Sequence, residues 1–351
     1  MKYSKIEPGQ DDLDRRIDRL IRKFIPQLTL GEIYKNLRTG WIRINGKKKK
    51  PDYRLKSGDI IEISDFLLTN ISSRGNGSGH IPANNGSPHN SPRKLMKTSQ
   101  RNKSSLKILA ETDDLLVLNK PAGVLVHGEE SLEIEVGIYL KGRIPESLSF
   151  KPGPLHRLDR NTSGIISFGK SLRGSRLFSS MMQSRALEKY YLSILKGKTE
   201  PSGIWEDELV RNNGITRISG KGKGKSSKTS YQTLTSNKSA SLVLMQLHTG
   251  RTHQIRAQAA GHGHPLMGDN KYGGGTEDRI KNTYYLHAWL MMPVKNGQSL
   301  PPFPLSSPLP PPFQQKIREL FPQISLNNLL EEIEKKIVSG LEEVDGKYTI
   351  P

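Results

Sequence analysis

The apolar positions near the start of the chain follow the spacing of an amphipathic helix. Over residues 13–24 one face carries Leu13, Ile17, Leu20, Ile21 and Phe24, and the other face is basic. A second short helix is predicted over residues 31–38. An alternating strand over residues 41–46 then enters a turn. Two helices followed by short strands predict a small α+β domain in this part of the chain.

Apolar runs farther along the chain predict buried strands. The runs at 115–118, 165–168 and 241–247 are short and rich in Leu, Ile and Val, as strands inside a sheet are. Helical spacing appears at 171–185, and an amphipathic helix is predicted at 325–340, where it begins at a serine and ends at a glycine. The strands and helices do not alternate regularly, which predicts an α+β fold.

The stretch 66–105 differs in composition from the sequence on either side of it. Ser, Asn, Gly, Pro and basic residues dominate there, and apolar residues show no period. A segment of this kind cannot bury enough apolar surface to fold by itself. We therefore predict four segments, namely a small domain at 1–65, a flexible linker at 66–105, a larger domain at 106–320, and a C-terminal amphipathic helix with a tail at 321–351.

The charge of the chain indicates a polyanionic partner. Lys and Arg number 54 against 34 Asp and Glu, which gives a net charge of +20 and an isoelectric point near 9.9. Nucleic acid is the first candidate partner, and an anionic membrane surface is the second. The 351 residues are enough for two domains.

Other features of the sequence exclude several classes of protein. No apolar run approaches the roughly 18 residues of a membrane-spanning helix. Asp11, Asp12 and Asp14 lie in an N-terminal stretch without an apolar segment, which argues against a signal peptide. The absence of cysteine excludes disulfides, thiolate catalysis and Cys-ligated zinc. We expect a cytoplasmic protein that has no contact with a membrane.

The strongest chemical signal is the segment 156–164, His-Arg-Leu-Asp-Arg-Asn-Thr-Ser-Gly. Asp159 lies between two arginines, and flanking guanidinium groups favour an ionised carboxylate. The segment leads into the buried strand predicted at 165–168, so its backbone can be held in a fixed position. It resembles the active-site motif of the RluA-type RNA pseudouridine synthases, His-Arg-Leu-Asp-x-x-Thr-Ser-Gly.

Three further segments extend this resemblance over roughly residues 106–320. Lys120 to Gly123 resembles the Lys-Pro-x-Gly turn of the family, and Lys189 to Gly197 is similar to its Lys-x-Tyr-x-Ala-x-Val-x-Gly motif. Ser193 stands in place of the usual alanine of that motif. The segment 249–256 resembles Thr-Gly-Arg-x-His-Gln-Ile-Arg.

The resemblance implies a fold and an active site. The fold is a mixed, largely antiparallel sheet with flanking helices. The implied catalytic residues are Asp159 as the nucleophile, Arg256 as its partner, and Tyr191 as the active-site tyrosine. Tyr191 is expected to stack on the target base, and assistance in removing the proton from C5 is left open as a second role. Leu286 is expected to pack near the same base, and Arg157 to fill the gap that the displaced base leaves in the RNA. The reaction converts uridine to pseudouridine without redox change, so no cofactor or metal is expected.

The segment 1–65 is similar to an S4 RNA-binding domain. Its pattern of basic residues predicts contacts with RNA phosphate groups, and the candidates are Arg15, Arg19, Lys35, Arg38 and Arg43. An S4-like domain before this kind of catalytic domain most resembles the RluC-like branch, whose substrate is large-subunit ribosomal RNA. A monomer is expected.

Several alternatives remain open from the sequence. The substrate could be transfer RNA or both RNAs, or the chain could be a non-catalytic S4-type RNA-binding protein. A hydrolase that uses His156 and Asp159 is a third interpretation, and a membrane-surface binder a fourth. Lys120 is either structural or part of the active-site rim. The Gly-, Lys- and Ser-rich residues 210–230 predict a mobile basic loop that lies over RNA phosphates.

Overall fold

A computed structural model describes residues 2–74, 106–276, 283–294 and 302–339. These residues fall into two compact units, one within Met1–Ser105 and Lys141–Lys151, and the other within Leu106–Leu140 and Pro152–Pro351. Among the described residues, no helix has both the length and the apolar character needed to cross a bilayer.

The first unit combines short helices with a small antiparallel sheet whose strand order is β1-β3-β2. This arrangement agrees with the expected S4-like domain. Its elements are β1 (Tyr3–Ile6), α1 (Ile17–Phe24), α2 (Leu30–Thr39), β2 (Ile42–Ile44), β3 (Ile61–Ser64) and α3 (Asp65–Arg74).

Helix α2 lies where a helix was predicted at residues 31–38, and both of its ends are capped. Thr29 forms a capping box with Glu32, because each residue's side chain accepts the other's backbone N–H. The helix stops at Gly40, which has a φ of +87°, a conformation that favours glycine. Helix α1 starts at Ile17 and not at residue 13, because Asp14 is left-handed and its N–H donates to the carbonyl oxygen of Leu55.

The linker was predicted to begin at residue 66, but a helix occupies the first part of that segment. Residues 65–74 form helix α3, and Leu67 and Ile71 lie buried in the core of the first unit. Their spacing of four residues places both on one helix face, a signal that the polar composition around them obscures. The remainder of the predicted linker, residues 75–105, lies outside the described residues.

The first unit also includes residues from the middle of the chain. The carboxylate of Asp12 is fully buried and accepts hydrogen bonds from the backbone N–H groups of Leu148 and Ser149 and from the hydroxyl of Ser147. The distances are 2.8–3.1 Å. Segment 141–151, which the sequence analysis placed in the larger domain, therefore packs with the N-terminal residues.

The second unit is built on one mixed, mostly antiparallel sheet of order β10-β9-β11-β12-β8-β13-β7-β5-β4, in which β7 and β13 run parallel. The predicted fold class is thus confirmed. Its strands are β4 (Ile108–Glu111), β5 (Leu115–Lys120), β6 (Gly153–Pro154), β7 (Ser163–Gly169), β8 (Leu187–Lys196), β9 (Ser202–Asn212), β10 (Ile215–Ser219), β11 (Lys225–Ser236), β12 (Ala240–Leu247), β13 (Leu286–Pro293) and β14 (Leu305–Ser306).

Helices of the second unit cover parts of this sheet. They are α4 (Leu132–Leu140), α5 (Leu172–Gln183), α6 (Gln254–Gly261), α7 (Pro311–Leu320) and α8 (Leu326–Ser339). The C-terminal helix α8 packs Leu326 and Ile337 into the same core as β8, β12 and β13. It is therefore part of the second unit.

The predicted mobile loop at 210–230 is largely sheet. Strands β9, β10 and β11 pair in an antiparallel arrangement across this region. The carboxylate of Glu208 accepts the backbone N–H groups of Gly222 and Gly224, at 2.9 Å each, and so closes the turn between β10 and β11. The prediction was wrong because long-range strand pairing overrides the local preference of Gly and Lys for a loop.

Candidate active site

Asp159 lies on the loop between β6 and β7, which we call the catalytic loop (residues 155–162). Its backbone carbonyl oxygen accepts the N–H of Thr162 at 3.1 Å and closes a tight turn. Nε2 of His156 accepts the N–H of Ser167 at 3.0 Å, and the imidazole stacks on Phe178. The loop is therefore anchored on both sides of the carboxylate.

The Thr-Ser-Gly residues at the end of the loop and the start of β7 hold the loop against neighbouring elements. The Thr162 hydroxyl is 3.1 Å from that of Tyr284, and the Ser163 hydroxyl is 2.8 Å from Nδ1 of His287. Gly164 has a φ of +108°, and a Cβ there would lie 2.2 Å from the carbonyl oxygen of Ala288. Only glycine allows β13 to approach this closely.

Lys120 belongs to the scaffold of the catalytic loop. Its ammonium group is fully buried and donates to the carbonyl oxygens of Pro121, Val124 and Arg160 at 2.8–2.9 Å. Burial lowers the pKa of Lys120 to about 7, and the charge of Asp159 opposes this shift. All three ammonium hydrogens have protein acceptors, so the geometry favours the structural interpretation of Lys120 over a place on the active-site rim.

Arg256, on the first turn of α6, joins two carboxylates. Its Nη1 lies 3.1 Å from Oδ2 of Asp159, although the two residues are 97 positions apart. Its Nε and Nη2 donate to the two oxygens of Asp269 at 2.7 and 2.9 Å, a bidentate geometry. The rings of Tyr272 and Tyr284 lie 4.8 and 4.4 Å from its guanidinium carbon. This packing fixes the guanidinium group beside Asp159.

A cleft next to Asp159 brings together the other predicted residues. Tyr191 on β8 and Leu286 on β13 line it, as do Arg157 and Arg251. Tyr191 and Leu286 are buried, whereas Arg157 is exposed. Burial, followed by the nearby charge of Asp159, raises the pKa of Tyr191. The cleft therefore presents a carboxylate, a protonated phenol and an apolar wall to one space.

The chain is similar to known proteins in both sequence and structure. The model of the RNA pseudouridylate synthase family matches residues 114–261. Ribosomal large subunit pseudouridine synthase C of Pasteurella multocida is 30% identical over 332 residues, which are 91% of this chain and 94% of the relative. The chain belongs to the RNA pseudouridylate synthase family. Ribosomal large subunit pseudouridine synthase C of Escherichia coli is 32% identical over 291 residues, which are 79% of this chain and 84% of the relative.

The solved structure of human RNA pseudouridylate synthase domain containing 1 has the same fold. It aligns with a TM-score of 0.53 and 23% identity, and covers 70% of this chain and 98% of that chain. The predicted resemblance to the RluC-like branch of the family is confirmed by the curated relatives that carry the name synthase C.

The residues that surround Arg256 were not singled out from the sequence. Asp269 is 2% exposed and Tyr284 is 5% exposed, and both contact Arg256. Asp269 and Tyr272 lie within residues 106–320, over which the resemblance extends, but outside the motifs quoted for it, and nothing in their spacing indicates a contact with Arg256. A buried arginine needs more than one acceptor for its five N–H groups, which is the signal that could have prompted a search for a second acid.

The histidines that could suggest a metal site have other partners. His262 contacts the carboxylate of Asp207 at 3.1 Å, and His287 contacts Ser163 and the carbonyl oxygen of Ser307. Across residues 2–74, 106–276, 283–294 and 302–339, no group of three or more metal-binding side chains comes together.

Of the five predicted RNA contacts of the first unit, two lie on one surface and three lie elsewhere. Lys35 and Arg38 line one concave basic surface together with Tyr34 and residues 48–50. We call this the basic surface. Arg43 instead donates from Nε to the carbonyl oxygen of Gly40 and packs on the ring of Tyr3. Arg15 donates to the hydroxyl of Ser149 at 2.5 Å, and Arg19 is exposed.

The anchoring of His156 predicts a loss of stability in acid. Burial, followed by the charge of Lys189, lowers the pKa of His156 to about 3 from an ordinary value of 6.5. Between pH 6.5 and 3 the unfolded chain therefore binds a proton that the folded chain does not, and stability falls as the pH falls through this window. We expect His156→Gln, whose side-chain oxygen can still accept the Ser167 N–H, to lose less Tm than the wild type between pH 7 and pH 4.

Calorimetry at several pH values measures this difference. His127→Gln is the matched control, since His127 is 59% exposed, and its Tm should follow the wild-type curve. Parallel curves for His156→Gln and the wild type would contradict the role given to His156.

Proposed function

We propose that this chain isomerises uridine to pseudouridine in large-subunit ribosomal RNA, with Asp159 as the nucleophile. The observation that carries the proposal is the contact of 3.1 Å between Asp159 and Arg256 beside the cleft that Tyr191 and Leu286 line. The curated relatives, which are named large-subunit synthases, support the choice of RNA.

The chemistry needs a nucleophile and no cofactor. The bond between C1′ of the ribose and N1 of the uracil breaks, the uracil turns, and a new bond forms between C1′ and C5. The hydrogen on C5 leaves as a proton, N1 gains a proton, and no electrons are exchanged with another molecule. Covalent attack by a carboxylate divides this reaction into easier steps. Arg256 holds the carboxylate in one orientation while its bonds to Asp269 keep the guanidinium in place.

The residues around the cleft receive the target base. A base in a duplex must leave its stack, at a cost of a few kcal/mol. Tyr191 would then pack against the uracil and Leu286 would support it. Since its raised pKa keeps Tyr191 protonated, packing is the role that this phenol suits best. Arg157 is exposed on the same loop as Asp159, and its planar side chain can stack in the vacated position.

The basic surface of the first unit should bind RNA phosphates. Lys35, Arg38, Lys48 and Lys50 surround it. We expect replacement of all four by glutamine to weaken RNA binding and to flatten its salt dependence. The slope of log K against log salt concentration should fall by about 0.7–0.9 for each phosphate group that the variant no longer binds. Filter binding at several salt concentrations measures both quantities.

The control for this experiment neutralises other cations of the same unit. Lys5 and Arg54 are exposed and lie near the carboxylates of Glu62 and Asp14, so Lys5→Gln/Arg54→Gln should bind RNA much as the wild type does. If the fourfold variant binds like the wild type at both low and high salt, the basic surface does not hold RNA.

The choice of substrate has its own experiment. Purified protein is incubated with large-subunit ribosomal RNA and, separately, with transfer RNA, each transcribed without modification, and pseudouridines are mapped in both. We expect modification of the ribosomal RNA at discrete uridines. Modification of the transfer RNA alone would overturn the substrate while keeping the reaction. We further propose that the protein acts in the cytoplasm and that it is a monomer. Sedimentation of the purified protein tests the oligomeric state.

A further inference from the structure

A histidine of the active site has no role in the chemistry described so far. His253 is the residue directly before α6, and its imidazole is 13% exposed. Its backbone has a φ of +55°, a left-handed conformation that is uncommon for residues other than glycine. With the backbone in this conformation, Nε2 of the ring lies 3.7 Å from Oδ2 of Asp159. Strain of this kind is often retained where function requires it.

A chain of hydrogen bonds favours one tautomer of this ring. The backbone N–H of Thr216 donates to the hydroxyl oxygen of Tyr272 at 2.9 Å, and the same hydroxyl lies 2.7 Å from Nδ1 of His253. A backbone N–H can only donate. With this oxygen accepting from Thr216, the Tyr272 hydroxyl is placed to donate its single hydrogen to Nδ1. In a neutral imidazole the remaining hydrogen is then on Nε2, the nitrogen that faces Asp159.

The charged groups around His253 favour the neutral ring. Burial lowers the pKa of His253, the charge of Asp159 opposes this shift, and the charges of Arg256, Lys271 and Arg211 reinforce it. Arg256 already supplies a full positive charge to Oδ2. A neutral Nε2–H can orient the carboxylate of Asp159 without adding a second positive charge. A second positive charge would make this carboxylate a weaker nucleophile.

We propose that His253 is a positioning residue for Asp159, and that Tyr272 fixes its tautomer. Nε2 of His253 and Nη1 of Arg256 both lie nearest to Oδ2 of Asp159. Oδ1 is therefore the oxygen that would attack the nucleotide. Among the described residues, no hydrogen bond is made to Oδ1. The inference rests on the proposed function, because it assumes that Asp159 is the nucleophile.

The distance of 3.7 Å is longer than an N–H···O hydrogen bond. Catalytic hydrogen bonds are often long before the substrate binds and shorten in its complex. A movement of roughly 0.5–1 Å on RNA binding would bring Nε2 within bonding distance of Oδ2. His253 would then act on the rate of the chemical step and not on the affinity for RNA.

Two variants test this role. His253→Asn introduces a residue that tolerates the left-handed backbone of this position. The asparagine side chain is too short to reach Asp159. Tyr272→Phe keeps the ring beside Arg256 and removes only the hydroxyl. We expect His253→Asn to lower the single-turnover rate about tenfold to a hundredfold, as loss of a hydrogen bond to a charged group does, with an unchanged Kd for RNA. Tyr272→Phe should lower the rate in the wild-type background and not in the His253→Asn background.

Tritium release from RNA that carries tritium on C5 of its uridines, with protein in excess, gives the rate, and filter binding gives the Kd. Thermal melting confirms that each variant is folded under the assay conditions. A wild-type rate for His253→Asn, or a loss of RNA affinity equal to its loss of rate, would overturn the proposal. So would an equal effect of Tyr272→Phe in both backgrounds. Turnover by the wild type in the same assay tests the proposed function separately: an inactive wild type would count against that function, whereas the outcomes above in the presence of an active wild type would overturn only the role of His253.

Discussion

Asp159→Asn should abolish turnover and leave RNA binding unchanged. Asparagine has the shape of aspartate and retains an oxygen that can accept from Arg256, so the loop should keep its conformation. It lacks the negative charge that a nucleophile needs, and we expect the rate to fall by more than about a thousandfold. Initial rates of tritium release and the Kd for RNA, measured on the same preparation, separate chemistry from binding.

The control for Asp159→Asn is Asp207→Asn. Asp207 is also a largely buried aspartate, with 10% exposure, and its carboxylate contacts His262 and Gln258. Its replacement should leave the rate close to that of the wild type. If Asp159→Asn retains more than a small fraction of wild-type turnover, another group is the nucleophile.

Arg256→Met should reduce both stability and activity. The substitution removes the partner of Asp269, whose side chain is 2% exposed, and that of Asp159. Removal of one member of a buried ion pair costs about 3–5 kcal/mol of unfolding free energy, because the other charge stays buried without compensation. Urea denaturation measures the change in stability, and the single-turnover rate should fall by at least about a hundredfold.

A double variant separates these two effects. Arg256→Met/Asp269→Asn replaces both members of the buried pair, so much of the stability should return. Asp159 still lacks its guanidinium partner in this variant, and we expect the rate to stay low. Recovery of the rate together with stability would mean that Arg256 serves only to neutralise Asp269.

The sequence predicted which candidate catalytic residues come together better than it predicted the interactions that hold them. Asp159, Tyr191 and Arg256 were predicted from motifs that resemble the family, and the structure brings them to one place. The helix predicted at residues 31–38 is also present as α2, which ends at Gly40 because a left-handed residue is needed there and glycine supplies it. Such features depend on a few neighbouring residues, which a sequence displays directly.

The missed features depend on residues that are distant in sequence. Asp269 and Tyr284 reach Arg256 only after the sheet has formed, and their spacing gives no indication of this. Segment 141–151 joins the first unit through the buried carboxylate of Asp12, which is 135 positions from Ser147. The Gly- and Lys-rich residues near 220 become a hairpin because β9 supplies a partner strand. Local composition predicted a loop there, and tertiary pairing decided otherwise.

The isomerisation itself is tested most directly by the products. Unmodified large-subunit ribosomal RNA is incubated with the wild type or with Asp159→Asn and digested to nucleosides, and the nucleosides and free bases are then quantified by chromatography. We predict that the wild type converts uridine to an equal amount of pseudouridine without release of uracil, and that Asp159→Asn converts none. Release of free uracil by the wild type would indicate a hydrolase, and equal conversion by both proteins would show that the carboxylate of Asp159 is not the catalytic group.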